Sequence, residues 1–220
     1  MAIKTKPSEM GVVVGPDKLP GILSLPTDAQ GVILFAHGSG SSRLSPRNRY
    51  VAGVLQNCRM ATLLFDLLDE QEAEDRRKVF DIELLAERLS RAADWTRGRF
   101  ELRELPIGYF GASTGAAAAL VAAARHPESI GAVVSRGGRP DLAADYLPQV
   151  KAPTLLIVGG NDEPVIEMNR EALELLRCEK RLDIVPGATH LFAEAGALEE
   201  VARLATNWFQ QYFVREKIAL

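Results

Sequence analysis

The chain has 220 residues, of which 47 % are hydrophobic, and its 26 Lys and Arg oppose 29 Asp and Glu for a net charge of −3. A chain of this length buries enough surface for one large core, so we expect a single domain over residues 1–220. The balanced charge argues against a nucleic-acid binder and against disorder. Two cysteines and three histidines argue against a disulfide framework and a structural zinc site, and we expect no metal and no organic cofactor.

Neither the N-terminal segment nor the apolar runs point to a membrane. Residues 1–7 lack the apolar core of a signal peptide. The longest apolar run, residues 116–124, is too short to span a bilayer. We therefore expect a cytoplasmic protein that does not bind a membrane.

Short β-branched runs alternate with longer helical patterns along the chain. Strands are predicted at residues 12–14, 22–25, 32–36, 61–66, 107–110, 130–135, 154–158 and 182–185. Helices are predicted at residues 46–57, 79–96, 114–125, 141–146 and 165–177, followed by a final amphipathic helix carrying Leu198, Val201, Leu204, Ala205, Trp208 and Phe209. The first two strands are predicted to form an antiparallel hairpin, and the remaining alternation indicates a mostly parallel α/β sheet with helices on both faces.

The polar segment 69–78 has two interpretations. It is a candidate lid over a functional site, or a solvated loop that leads into the next helix. The loop is favoured, because acidic residues come first and basic residues follow, as the helix dipole prefers.

Residues 111–115, Gly-Ala-Ser-Thr-Gly, match the pattern G-x-S-x-G. A predicted strand ends directly before this segment, and an alanine-rich helix begins directly after it. That strand–turn–helix setting is what a nucleophile elbow requires, and the helix N-terminus favours negative charge beside Ser113. The alternative is a glycine-rich turn with an incidental serine.

On these residues the sequence resembles the α/β-hydrolase family, in particular its small dienelactone-hydrolase-like branch. The resemblance implies an α/β-hydrolase fold with about eight strands, helices on both faces and no cap domain. It also implies an acid after a later strand and a histidine after the last strand. Asp162 follows the strand at 154–158, with Glu163 as the neighbouring alternative, and His190 follows the last strand.

An oxyanion hole in such an enzyme uses two backbone N–H groups. Thr114, next to the nucleophile, supplies the first. Ser39 is the preferred second donor, with Gly40 next, in the loop that begins at His37. His37 itself is interpreted as an anchor for this loop, and the loop lacks the Gly-Lys-Ser/Thr ending of a phosphate-binding P-loop.

The segment between the strands at 130–135 and 154–158 leaves room for only one short helix, so we expect a site that is fairly open or covered only by neighbouring loops. Five arginines follow predicted strand ends and are candidates to face it: Arg43, Arg47, Arg49, Arg136 and Arg139. We expect Arg136 or Arg47 to contact an acidic group of the substrate, because arginine binds carboxylates through two parallel hydrogen bonds. The alternative is a surface position or a local ion pair for each.

The sequence thus predicts a serine hydrolase that cleaves a small ester, lactone or thioester through Ser113, His190 and Asp162. Its partner is a small-molecule substrate, and the sequence carries no expectation about the oligomeric state. Dienelactone hydrolases proper use a cysteine nucleophile, whereas this elbow carries a serine, and Cys58 and Cys178 are interpreted as packing thiols. The alternatives are an acyltransferase or peptidase with the same triad, or a binding protein that keeps the fold without catalysis.

Overall fold

The computed structural model describes residues 9–213 and arranges them around one eight-stranded sheet. The strands are β1 (Glu9–Val14), β2 (Leu19–Ser24), β3 (Gly31–Ala36), β4 (Met60–Phe65), β5 (Ile107–Ala112), β6 (Ala132–Arg136), β7 (Thr154–Gly159) and β8 (Lys180–Val185). They lie side by side in the order β1-β2-β4-β3-β5-β6-β7-β8. Every predicted strand is present, and most are one to three residues longer than predicted.

The sheet is antiparallel only at one edge. β1 pairs antiparallel with β2 as the predicted hairpin, and β2 pairs antiparallel with β4. From β4 to β8 all neighbours are parallel. All residues of β3 to β7 are buried, as expected for strands with a layer of helices on both faces.

Helices cover both faces of the sheet. They are α1 (Pro46–Asn57), α2 (Glu70–Glu74), α3 (Arg76–Val79), α4 (Ile82–Arg97), α5 (Thr114–Arg125), α6 (Glu163–Leu175), α7 (Ala197–Phe213) and a 3₁₀ segment (Pro140–Gln149). α4, α5 and the 3₁₀ segment pack on one face in one apolar cluster, and α1 and α7 pack on the other face in a second cluster. None of the helices within residues 9–213 is long and apolar enough to cross a membrane.

The segment 69–78 is not the solvated loop that the sequence favours. It forms the short helices α2 and α3, and α4 begins three residues later than predicted. Asp69 and Glu72 form a reciprocal capping box at the start of α2. Asp75 and Asp81 cap α3 and α4 with their side chains. Three successive acidic caps therefore divide the segment into short helices.

The alanine-rich helix α5 lies at the centre of the helical layer. Its residues from Thr114 to Ala124 are all buried. Because the side chains are small, the helix fits closely between the sheet, α4 and the 3₁₀ segment. This packing fixes the N-terminus of α5, and with it the turn that carries Ser113.

Candidate active site

Ser113 occupies a strained turn between β5 and α5. Its backbone angles are φ 51° and ψ −122°, a region that residues other than glycine rarely adopt. A Cβ on Gly111 would overlap the backbone of Ala116, and a Cβ on Gly115 would overlap the carbonyl oxygen of Ala36. Both glycines are therefore required for the strand and the helix to approach each other, which is the physical basis of the G-x-S-x-G pattern.

Asp162 and His190 come together at the carboxyl ends of β7 and β8. Nδ1–H of His190 donates to Oδ2 of Asp162 at 2.8 Å. The Asp162 side chain is 15 % exposed and that of His190 is 39 % exposed, so the carboxylate is the more protected partner. This hydrogen bond leaves Nε2 of the imidazole free to accept a proton.

Asn161 ties the two loops that carry the acid and the base. Its backbone N–H donates to the carbonyl of Ala188 at 2.9 Å. Its side-chain Nδ2 donates to the carbonyl of Gly187 at 3.0 Å. The sequence interpretation missed this role, although an asparagine between a glycine pair and the acid is a frequent loop-bridging residue.

Ser113 and His190 line one cavity of about 230 Å³, together with Arg47 and Arg136. Among the hydrogen bonds of residues 9–213, none joins Oγ of Ser113 to the imidazole. Catalytic hydrogen bonds of this kind are often long before substrate binds. The structure therefore brings the three predicted residues to one place, with the acid–base pair already formed.

The two residues predicted to supply the oxyanion donors are joined by a hydrogen bond. The backbone N–H of Ser39 donates to Oγ1 of Thr114 at 2.9 Å. The hydroxyl of Thr114, which the sequence interpretation did not use, thus links the loop after β3 to the start of α5. Gly40, the second candidate, lines a separate larger cavity and has φ 66°.

Side chains at both ends of this loop anchor it. We call residues 37–42 the oxyanion loop; His37 begins it and Arg43 directly follows it. Nε2 of His37 accepts from the N–H of Leu67 at 3.0 Å, and Nδ1 lies 3.0 Å from the carbonyl of Gly38. Arg43 pairs with Asp66 through its side chain and its backbone N–H. His37 is therefore a neutral anchor with its proton on Nδ1, and burial lowers its pKa.

The two arginines in the small cavity differ from the other three arginine candidates. Arg136 is buried, and its guanidinium lies over the ring of Phe192 at 5.7 Å. Burial, with a smaller effect of nearby Arg47, lowers the pKa of Arg136 to about 10. The Nε atoms of Arg136 and Arg47 are buried and have no hydrogen-bond partner among the described residues.

For three of the five arginine candidates, the structure shows the alternative, an ion pair. Arg49 pairs with Glu9 at 2.9 Å, and Arg139 pairs with Asp141 at 2.7 Å. Arg43 pairs with Asp66, as described above. Only Arg47 and Arg136 border the cavity that contains Ser113.

Metal ligands are not gathered at this site. Within residues 9–213, no group of three or more His, Cys, Asp or Glu side chains is arranged to hold a metal ion. The chemistry available to the described residues is that of a nucleophilic hydroxyl, an imidazole paired with a carboxylate, and two cations.

The serine turn follows β5, the acid follows β7 and the histidine follows β8. This order of groups along the sheet defines an α/β-hydrolase fold. The family model described as "Dienelactone hydrolase family" matches residues 61–213. The chain therefore belongs to the dienelactone hydrolase family.

Solved structures agree with this assignment. The chain is similar to a dienelactone hydrolase from Anabaena variabilis, with 58 % sequence identity, a TM-score of 0.92, and coverage of 96 % of this chain and 100 % of that one. An α/β serine hydrolase without lid from Xanthomonas campestris has 19 % identity and a TM-score of 0.76, covering 97 % and 98 % of the two chains. The second likeness shows the fold alone.

Two curated relatives are longer than this chain. They are Mycobacterium tuberculosis proteins whose names assign them, provisionally, as phosphoribosyl transferases. Each is 57 % identical over 201 residues, which is 91 % of this chain and 45 % of the relative. The chain thus spans about half the length of the curated relatives it matches.

Proposed function

We propose that this hydrolase cleaves a carboxylic ester, lactone or thioester through an acyl-enzyme on Ser113. The observation that carries the proposal is that Ser113, at a strained elbow, shares one small cavity with an imidazole already hydrogen-bonded to a carboxylate. This combination is the arrangement that nucleophilic acyl transfer requires.

In the proposed first step, Oγ of Ser113 attacks the carbonyl carbon while Nε2 of His190 takes its proton. Asp162 holds the imidazole through Nδ1–H and stabilises the imidazolium that forms. The tetrahedral intermediate then collapses, and His190 returns the proton to the leaving oxygen or sulfur. In the second step a water, deprotonated by His190, attacks the acyl carbon and releases the carboxylic acid and free Ser113.

The developing oxyanion lies at the N-terminus of α5. The Thr114 N–H is one proposed donor, and the helix dipole favours the negative charge there. Ser39 N–H is the other proposed donor. Before substrate binds, this N–H donates a hydrogen bond to Oγ1 of Thr114, which holds the donor in place. When the oxyanion forms, the N–H releases the hydroxyl oxygen and donates to the oxyanion instead.

We further propose that the substrate carries a negative charge. Arg136 and Arg47 border the same cavity as Ser113, and their buried Nε donors are unpaired among the described residues. A buried cation such as Arg136 is costly unless an anion completes it, and a carboxylate or phosphate group of the substrate fits that need.

The test is hydrolysis of an ester panel by the wild type and by Ser113→Ala, with Ser129→Ala as a matched control in an exposed loop. The wild type and Ser129→Ala are expected to release the acid, whereas Ser113→Ala loses about 10⁴-fold or more of kcat. Product analysis with a competing alcohol separates hydrolysis from acyl transfer. A wild type inactive on the whole panel, or an active Ser113→Ala, contradicts the proposal.

A further inference from the structure

A second, larger cavity lies on the other side of the oxyanion loop. Its volume is about 1040 Å³, against about 230 Å³ for the cavity that contains Ser113. This is the upper end of the range for small-molecule sites, about 300–1,000 Å³. Its apolar wall comes from Leu44, Leu67, Leu68, Val79 and Leu85. We name this cavity the distal groove.

The distal groove adjoins the cavity that contains Ser113. Gly38, Ser39 and Ser41 border both spaces, so the oxyanion loop is their common wall. Thr114, the residue after the nucleophile, also lines the groove. A substrate whose carbonyl oxygen lies beside the N–H groups of Ser39 and Thr114 is therefore at the inner end of the groove.

The roof of the groove is preformed. It consists of α2 and α3, the segment that the sequence treated as a solvated loop. Arg88, on α4, bridges Asp17 at 2.8 Å and Glu72 at 3.1 Å, and Lys78 also reaches Glu72 at 3.2 Å. These contacts tie α2 to α4 and to the β1–β2 turn, so a ligand does not have to order the roof on binding.

The two cavities differ in charge. The small cavity is lined by Arg47 and Arg136, which form no ion pair within residues 9–213, whereas Arg43, at the groove, is paired with Asp66. Asp69 and Glu70 lie exposed along the groove and are acidic. An anionic group is thus attracted to the small cavity and repelled from the distal groove.

We propose that the distal groove binds an uncharged, apolar part of the substrate, of the size of an aromatic or fused-ring group. The substrate is then bipartite, with its anionic group at Arg47 and Arg136, its carbonyl at Ser113 and its apolar group under α2. The inference that such a substrate is hydrolysed rests on the proposed function, whereas the inference that the groove binds an apolar group does not. The inference also replaces the expectation of a small substrate, and it takes up the expectation that neighbouring segments cover the site.

Blocking substitutions on the roof test the groove by kinetics. Ala73, on α2, is exposed and lines the groove, whereas the next residue, Glu74, is exposed and does not line it. Ala73→Trp is therefore the blocking variant and Glu74→Trp its matched control. Gln71→Trp, also exposed and lining, is a second blocking variant if Ala73→Trp fails to fold.

The kinetic readout uses two pairs of anionic esters. One pair, the methyl and 2-naphthylmethyl monoesters of succinate, carries the ring on the alcohol. The other, the acetyl and 2-naphthoyl esters of glycolate, carries it on the acyl side. In at least one pair the wild type and Glu74→Trp should prefer the ring by about tenfold or more in kcat/KM, and the blocking variant should lose that preference. Equal preference in the blocking and control variants, in both pairs, overturns the inference.

A binding measurement keeps this result separate from catalysis. The probe is N-phenyl-1-naphthylamine, whose fluorescence is titrated against the full chain carrying Ser113→Ala. Ala73→Trp in that background should weaken saturable binding by about tenfold or more, and Glu74→Trp should not. If the probe binds in this way while every ester is inert, the proposed function fails and the groove stands. The inference is overturned if the probe does not bind, or if neither roof substitution changes the affinity for the probe.

Discussion

The backbone N–H of Ser39 and Oγ1 of Thr114 form a hydrogen bond of 2.9 Å across 75 positions of the chain. It joins the loop after β3 to the first residue of α5, so the two proposed oxyanion donors are held at a fixed separation. The side chain of Thr114 therefore holds the backbone N–H of one proposed donor, while its own N–H is the other proposed donor.

Thr114→Val should lower kcat by about ten- to hundredfold, because the Ser39 N–H then faces a methyl group and the loop loses its tie to α5. Thr114→Ser keeps the hydroxyl and should stay within about threefold of the wild type. Steady-state kinetics on a single ester, with KM and kcat determined separately, measures both. An unchanged kcat in Thr114→Val would show that the contact has no part in positioning.

Arg136→Met should raise KM for anionic esters by about tenfold or more, because a charge-assisted hydrogen bond contributes about 1.5–3 kcal/mol. The methionine preserves contact with Phe192, so KM for neutral esters should change by less than about twofold. Arg139→Met, three residues further along the chain but paired with Asp141, is the matched control. Equal effects of Arg136→Met on anionic and neutral esters would refute the charge assignment.

The same arginine gives a pH dependence. Its pKa of about 10 keeps Arg136 cationic at neutral pH, and the charge is lost as pH rises through that value. The preference for anionic over neutral esters should therefore be constant from pH 7 to about 9 and decline above it. The ratio of kcat/KM for an anionic ester to kcat/KM for a neutral ester measures this preference, after background hydrolysis is subtracted from each rate. A ratio that falls between pH 7 and 8 would point to another group.

The lowered pKa of His37 predicts that the protein loses stability in mild acid. The unfolded chain protonates this histidine as pH falls through about 6.5, whereas the buried imidazole stays neutral to lower pH. The unfolded state thus binds more protons, and the free energy of unfolding falls by up to about 1.4 kcal/mol per pH unit below 6.5. His37→Gln should remove this component in urea unfolding measured from pH 5 to 7.5.

The control for that experiment is His37→Leu, which also removes the titration but leaves the N–H of Leu67 without its acceptor. It should cost about 1–3 kcal/mol at pH 7.5, where His37→Gln costs less because its amide oxygen can replace Nε2. If wild type and both variants share one pH slope, His37 is not the group responsible.

Substitution by alanine is expected to have opposite effects on stability at two glycines. Gly115→Ala should destabilise the protein by about 3 kcal/mol or more, because the new methyl overlaps the carbonyl of Ala36. A methyl added at Gly53, within α1, would meet no other atom within 4 Å, so Gly53→Ala should stabilise by about 0.4–1 kcal/mol. Thermal and urea unfolding of both variants measure the difference. A tolerated Gly115→Ala would contradict the close approach of β3 and α5 at the elbow.

Local patterns were enough to predict the strands and the elbow, and the family resemblance supplied the order of Ser113, Asp162 and His190. The buried strands are rich in apolar residues, and Ser113, Asp162 and His190 follow the parallel strands β5, β7 and β8, so the topology brings them to a single edge of the sheet. The short helices α2 and α3 were missed because a helix of four or five residues shows no hydrophobic period. Their signal was the acidic caps, in particular the spacing of Asp69 and Glu72.

Contacts between distant segments could not be predicted in the same way. The partner of Arg49 is Glu9, 40 positions away, and no local pattern distinguishes it from the unpaired Arg47. The distal groove likewise needs the oxyanion loop, the end of β4 and α2 at once. Only the folded arrangement shows which cations are free for a substrate and where an apolar group fits.

Covalent labelling with a fluorophosphonate probe tests the central claim, that Ser113 is a nucleophile activated by His190 and Asp162. Wild type and Ser113→Ala are treated in parallel, and the modified peptide is located by mass spectrometry. The account predicts one label on the wild type, at Ser113, and none on Ser113→Ala. A wild type that is not labelled, or a Ser113→Ala variant labelled to the same extent, would contradict it.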